Sequence, residues 1–126
     1  MKIATYNING VNGRLTRLTH WLATAEPDVV CLQEIKTASA TFPHEAQGWT
    51  DAIAKKHPGK PMYTYWDYFR QGWQRNAGLR IDHLLLNAAA AARLKDAGID
   101  REERGGEKPS DHAPAWITLK KLGRSG

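Results

Sequence analysis

The sequence is poor in the residues that would make it a secreted, metal-stapled or membrane protein. It has one cysteine, two methionines and two phenylalanines in 126 residues. A single cysteine excludes a disulfide framework and a thiolate zinc site. Cys31 sits in the apolar run Val29-Val30-Cys31-Leu32 and reads as a reduced core thiol. No apolar run approaches the roughly 20 residues of a membrane span. Residues 1–20 lack the apolar core of a secretory signal, so the expected location is cytoplasmic. Internal repeats are absent, as is any Pro/Gly/Ser-rich linker, and the length suits one domain. Acidic residues are also in deficit: 13 Asp and Glu against 18 Lys and Arg, a net charge of +5. Such a balance favours an anionic partner, nucleic acid first.

The periodicities that are present predict an α/β fold. Lys2–Tyr6 reads as a strand that stops at Asn7-Ile8-Asn9-Gly10, where Asn and Gly tolerate turn dihedrals. Leu15, Leu18 and Leu22, with Trp21 alongside, predict an amphipathic helix over about 14–25, stopped by Pro27. Asp28–Leu32 then reads as a strand buried on both faces, ending at Gln33-Glu34-Ile35-Lys36. If the two strands run parallel, Asn7 and Glu34 both lie just past their carboxyl ends, where α/β sheets bind ligands.

Further on, the pattern predicts a short helix over 51–56 closed by His57-Pro58-Gly59, a strand over 63–66, and a loop over 67–76 rich in aromatic and basic residues. The central feature is Gly78–Leu86, an apolar strand that still carries Arg80 and Asp82. A carboxylate inside such a strand costs several kcal/mol unless a partner meets it. His112, on the loop Pro109–Pro114, is the expected partner, and an Asp–His pair fixes one imidazole tautomer. Asn87–Ala92 reads as a helix start, Arg101–Lys108 as a surface loop, Ala115–Leu119 as a strand, and Lys120–Gly126 as a basic tail.

Four of these segments, in this order, resemble the bacterial exonuclease III family of the endonuclease/exonuclease/phosphatase superfamily. They are Thr5–Gly10, Leu32–Lys36, Tyr65–Tyr68 with Gly78–Leu85, and Glu107–Pro114. The resemblance runs from Met1 to about Leu119 in two pieces, 1–49 and 50–119, joined near Gly48-Trp49-Thr50. The family's middle is missing, and with it a catalytic tyrosine and a Gly-Asp-x-Asn motif whose Asp is held to activate water. No Asp-x-Asn occurs in this chain. The fold implied is a truncated version of the superfamily's two-sheet α/β sandwich. Lost strands leave exposed sheet edges, which invite a homodimer, the alternative being a marginal monomer.

The resemblance also implies roles. Glu34 becomes the principal ligand of Mg²⁺ or Mn²⁺, Asn7 supports metal and phosphate, and Asp111 lies near both. His112, oriented by Asp82, contacts the scissile phosphate. Asn9 and Lys36 match the motifs but read equally as second-layer or solvent-facing residues. Read without the family, Glu34 is a turn residue, Asn7 a strand-ending turn former and Asp111 a loop cap. On the binding side, Arg70, Arg75 and Arg80 interleave with Trp66, Tyr68, Phe69 and Trp73, a pattern that suits phosphate contact and base stacking. Positions Tyr65, Leu79 and Ile81 match the walls of a pocket for an extrahelical abasic sugar. Against that, Trp66 and Ile81 read as core, and Arg80 as a paired charge. His20, His44, His57 and His83 read as surface or structural.

The function implied is a divalent-metal-dependent DNA phosphodiesterase acting on double-stranded DNA at abasic sites and 3′ ends. Its alternatives are a catalytically impaired DNA-binding remnant, or a deletion fragment.

Overall fold

A computed structural model describes residues 1–11, 13–35 and 48–121. Lys36, His44 and residues 122–126 of the tail lie outside the described residues.

The chain opens as a βαβ unit. Strand β1 (Ile3–Asn7) and strand β2 (Val29–Gln33) pair in parallel, with Ile3 opposite Val29 and Asn7 opposite Gln33. Helix α1 (Leu15–Ala25) joins them, buries Leu18 and Leu22, and ends where Glu26 takes a left-handed conformation before Pro27. The edge of Trp21 packs on Tyr6 of β1, with ring centroids 5.8 Å apart.

β2 is buried on both faces because two different layers claim its alternate residues. Val30 and Leu32 face α1 and join Ile8, Leu18, Ile35 and Leu85 in one core cluster. Val29, with Cys31 packed against it, belongs to a second cluster with Ile53, Leu86, Leu94 and Ala97. Strand β3 (Thr50–Asp51) leads into helix α2 (Ala52–Lys56), and strand β4 (His83–Leu86) runs antiparallel to both β2 and β3. The four-stranded sheet has the order β1-β2-β4-β3. Helix α3 (Ala88–Ala92) follows, capped by the Asn87 carboxamide, which accepts from Ala90 N at 2.8 Å. Strands β5 (Leu94–Ile99) and β6 (Ala115–Leu119) form a second, antiparallel sheet. Two sheets with helices form a mixed α/β architecture, as expected of a shortened sandwich.

The structure departs from expectation in four places. The ladder of the central strand covers only His83–Leu86. The backbone N–H groups of Ile81 and Asp82 donate instead to the Thr64 hydroxyl, each at 3.2 Å, and Leu79 pairs with Tyr65. Within the stretch expected as a strand, Tyr63–Trp66, it is Tyr65 that makes isolated bridges, to Leu79 and His112. β5 was not expected, because Lys95, Asp96, Ala97 and Gly98 have poor β-propensity. Tertiary packing overrides that: the Trp116 indole lies across Gly98, where a Cβ would sit 2.6 Å from its Cζ2. Finally, Arg101–Gly105 is a 3₁₀ helix, not a loose surface loop. Arg104 is only 5% exposed, with its guanidinium donating to the carbonyls of Trp66 and Asp67 at 2.9–3.2 Å.

Candidate functional site

The carboxyl ends of β1 and β2 sit side by side, and the chain leaving each one runs beside the other. Ile8 N donates to Gln33 O, Gly10 N to Glu34 O and Val11 N to Ile35 O, at 2.8–3.1 Å. Asn9 and Glu34 both hold left-handed backbone conformations, with φ of 48° and 56°. A non-glycine residue held there costs about 1–3 kcal/mol and recurs at functional sites. The result aims two side chains at each other: the Asn7 amide nitrogen donates to the Glu34 carboxylate. Asn9 N in turn donates to the Asn7 carbonyl oxygen at 3.0 Å.

Asp82 stands across from this pair. One of its oxygens accepts from Glu34 N at 3.1 Å, and the other lies 2.5 Å from His112 Nδ1. A carboxylate only accepts, so Nδ1 carries the proton and Nε2 is the imidazole atom left for a ligand. Asp111 lies beside it, 3.9 Å from Nε2. The expected Asp–His pair is therefore present. His112 is held from a second side by Tyr65, whose ring packs edge-on at 5.4 Å, and by a backbone bridge to the same residue. Burial, reinforced by the charges of Asp67 and Asp111, raises the Tyr65 phenol above its ordinary range, so it stays protonated at neutral pH.

Glu34, Tyr65, Asp111 and His112 open on a cleft of about 1040 Å³, lined also by Leu79 and Ile81. A second furrow of about 530 Å³ reaches the same pair from the sheet side, past Asn7, Gln33 and Asp82. Glu34 and His112 line both.

The remaining sequence-predicted contacts divide. Leu79 is 57% exposed on the cleft rim, while Ile81 is buried in its wall. Arg70 and Arg75 are exposed on the 67–76 loop, tied together by a 2.8 Å bond from Arg75 Nε to Arg70 O. Tyr68 and Phe69 are exposed beside them. Trp66 is corrected: at 1% exposure it cannot stack on a base. Its ring packs edge-to-face against Tyr63 and Trp73, and its Nε1 donates to Asn76 at 3.1 Å. Arg80 is paired as its core reading expected, 2.7 Å from Asp51, yet it still lines the cleft. His83 is buried and structural, His57 is half-buried with Nε2 2.7 Å from Ala97 O, and His20 is exposed.

Sequence reasoning missed Thr64 and Asp51. Thr64 is fully buried and satisfies the backbone that presents Asp82. Its only signal was a hydroxyl set in an aromatic run. Asp51 carried the signal of a helix N-cap three residues ahead of Ala54.

Does this donor set fit a cation? Among the described residues no group of three or more His, Cys, Asp or Glu side chains is placed to cage a metal. Glu34 supplies one carboxylate, and Asn7 an amide whose oxygen already accepts from Asn9 N and has one further lone pair. That suits a hard cation such as Mg²⁺, which keeps several waters and takes further oxygens from a phosphate. It does not suit a closed tetrahedral site.

Comparison with known proteins gives three findings. The Endonuclease/Exonuclease/phosphatase family matches residues 4–64. Exodeoxyribonuclease III of Haemophilus influenzae is 35% identical over 96 residues, covering 68% of this chain and 36% of that protein. DNA repair nuclease APEX1 of Danio rerio is 32% identical over 73 residues, 57% of this chain and 22% of its own length. The chain thus spans about a third or less of the curated relatives it matches. Among solved structures, the fold resembles a 3′-5′ exonuclease from Neisseria meningitidis, with a TM-score of 0.58 at 21% identity, covering 95% of this chain and 100% of that one. It also resembles an AP endonuclease from Archaeoglobus fulgidus, with a TM-score of 0.56 at 18% identity, covering 94% and 99%.

Proposed function

From its place in the endonuclease/exonuclease/phosphatase family, as a shortened relative of exonuclease III, we propose that this chain is a cytoplasmic DNA phosphodiesterase. Its substrates are abasic sites and 3′ ends of double-stranded DNA, and its cofactor is Mg²⁺ or Mn²⁺. Residues 1–49 and 50–119 act as one internally shortened domain. The observation that carries the reading is the Asp82–His112 pair, 2.5 Å apart and lining the same furrow as Glu34.

Each residue then has a task. Glu34 and Asn7 would hold the cation, which when bound neutralises charge developing on the phosphate. Asp82 keeps the His112 ring in one orientation with Nδ1 protonated, so that Nε2 faces the phosphate oxygen. A proton carried on Nε2 would be donated to that oxygen as negative charge builds on the substrate, with Asp111 3.9 Å from the same nitrogen. Tyr65, Leu79 and Ile81 wall the space beside the phosphate, where a sugar without its base fits. Arg70 and Arg75 contact the backbone of the duplex, with Tyr68 and Phe69 against its bases.

The absent Asp-x-Asn motif favours a second reading, a remnant that binds DNA but turns over slowly. Losing a general base costs two to four orders of magnitude.

The test is nicking of a duplex carrying one abasic-site analogue, in Mg²⁺ and in EDTA, by protein from a host lacking its own abasic nucleases. Metal-dependent cleavage that is lost in both Glu34→Ala and His112→Ala supports the enzyme. Equal activity in all three preparations marks a contaminant and refutes it. Salt-sensitive binding without cleavage leaves the remnant, and neither binding nor cleavage refutes both readings.

A further inference from the structure

The stretch 79–83 is clamped twice. Asp82 holds His112 on one side, as described. On the other, Arg80 and His83 meet Asp51, a carboxylate to which the mechanism so far assigns nothing. Asp51 is 4% exposed, at the junction of β3 and α2. One oxygen caps α2 by accepting from Ala54 N at 3.2 Å. The other lies 2.7 Å from Arg80 Nη1 and 3.0 Å from His83 Nδ1. Arg80 Nη1 and His83 Nδ1 are themselves 3.1 Å apart, so the three groups form one cluster.

Two features argue against a purely structural cluster. First, Arg80 is not sealed: its side chain is 16% exposed and lines the cleft shared with Glu34, Asp111 and His112. Second, the contacts described for it use only Nη1. A guanidinium has five N–H donors in a rigid plane, so fixing one corner sets the direction of the rest. A lone arginine on a cleft wall swings through many rotamers; one held at a corner by a buried carboxylate does not. Asp51 is itself anchored, since its other oxygen caps α2 and His83 is fully buried on β4. The charge facing the cleft is therefore placed from behind, much as Asp82 places His112.

We propose that Asp51 is a positioning residue for substrate: it holds the Arg80 guanidinium at the cleft wall, where the remaining donors contact a backbone phosphate of the bound strand. The proposal rests on the DNA reading above and deepens it, because it assigns the strand a second phosphate contact in the cleft that Glu34 also lines.

The test is binding of an abasic-analogue duplex in EDTA, with the dissociation constant followed against salt. EDTA removes cleavage from the readout. Each phosphate contact in duplex DNA contributes roughly 0.9 to the slope of log affinity against log salt. Arg80→Gln is expected to lower the slope by about that amount. Asp51→Asn keeps a capping carboxamide and leaves Arg80 charged. It is expected to weaken binding several-fold and lower the slope as Arg80→Gln does, with no further loss in the double variant. An unchanged slope and affinity in folded Asp51→Asn makes Asp51 merely structural and overturns the proposal. A steeper slope means Asp51 was masking Arg80 and overturns it equally.

A second measurement needs no variant. Modification of arginines by a dicarbonyl reagent, mapped by mass spectrometry, is expected to show Arg80 protected by the duplex, and an unprotected Arg80 on a bound complex overturns the proposal. A parent chain that binds no duplex refutes the DNA reading and this proposal together, whereas failure at Asp51 or Arg80 in a chain that binds refutes the proposal alone.

Discussion

Asp51→Ala is the substitution whose stability cost the structure specifies most fully. Burial by itself would push the Asp51 carboxyl up, but the His83 hydrogen bond and the charge of Arg80 outweigh it and hold the group well below the usual carboxylate range. Removing it leaves Arg80 and His83 facing each other at 3.1 Å inside the fold. Breaking one partner of a buried pair costs about 3–5 kcal/mol. The lost N-cap of α2 adds about 1 kcal/mol. Against the 5–15 kcal/mol typical of a domain, that is a large share. The melting temperature is expected to fall by about 4 °C for each kcal/mol, so by about 16–24 °C.

Asp51→Asn separates the two parts, since Asn caps as well as Asp but cannot pair; the difference between the variants reads the cap. The pH dependence follows from the sign of the shift. A carboxyl with a depressed folded-state pKa stabilises fully above its unfolded value near 4, and that contribution is lost as pH falls through the folded value. The gap between parent and Asp51→Ala is therefore expected to be constant from pH 5 to 7 and to narrow below pH 4. The assay is urea unfolding followed by tryptophan fluorescence at each pH. A gap under 1 kcal/mol at pH 7, or one that widens on acidification, refutes the reasoning.

Four further outcomes are expected. If the chain cleaves DNA, Asp82→Asn should lower kcat by about 10- to 100-fold with little change in duplex affinity, because a neutral carboxamide has one acceptor oxygen for the two donors, Glu34 N and His112 Nδ1, that the carboxylate serves; a change in affinity alone would contradict the dyad. Gly98→Ala places a Cβ 2.6 Å from the Trp116 ring and is expected to cost about 1–3 kcal/mol of overpacking, read as a lower urea midpoint. Arg104→Met removes the donors to the Trp66 and Asp67 carbonyls and is expected to loosen the 67–76 loop, seen as faster limited proteolysis there at unchanged helix content. β1 lies at an edge of its sheet with Ile3 67% exposed, which predicts self-association; light scattering giving the mass of one chain, with a cooperative melt, would exclude it.

The sequence by itself determined what depends on neighbours along the chain. The apolar spacing of Leu15, Leu18 and Leu22 placed α1. The unbroken run Val29–Leu32 announced a strand with two buried faces, because no residue in it had a polar side to show. Asn7 and Glu34 were recognisable as strand-end residues for the same local reason, and a lone Asp in the apolar run 78–86 demanded a partner. Only the tertiary structure decided matters that rest on contacts between distant segments. β5 has no strand signature of its own and exists because Trp116 packs across Gly98. Thr64 matters because its hydroxyl stands where a sheet partner for Ile81 and Asp82 would be. Trp66 and Arg80 read alike as aromatic and basic residues near a cleft. Burial took the first into the core, while Asp51, some thirty positions away, left the second at the cleft wall with its charge in place.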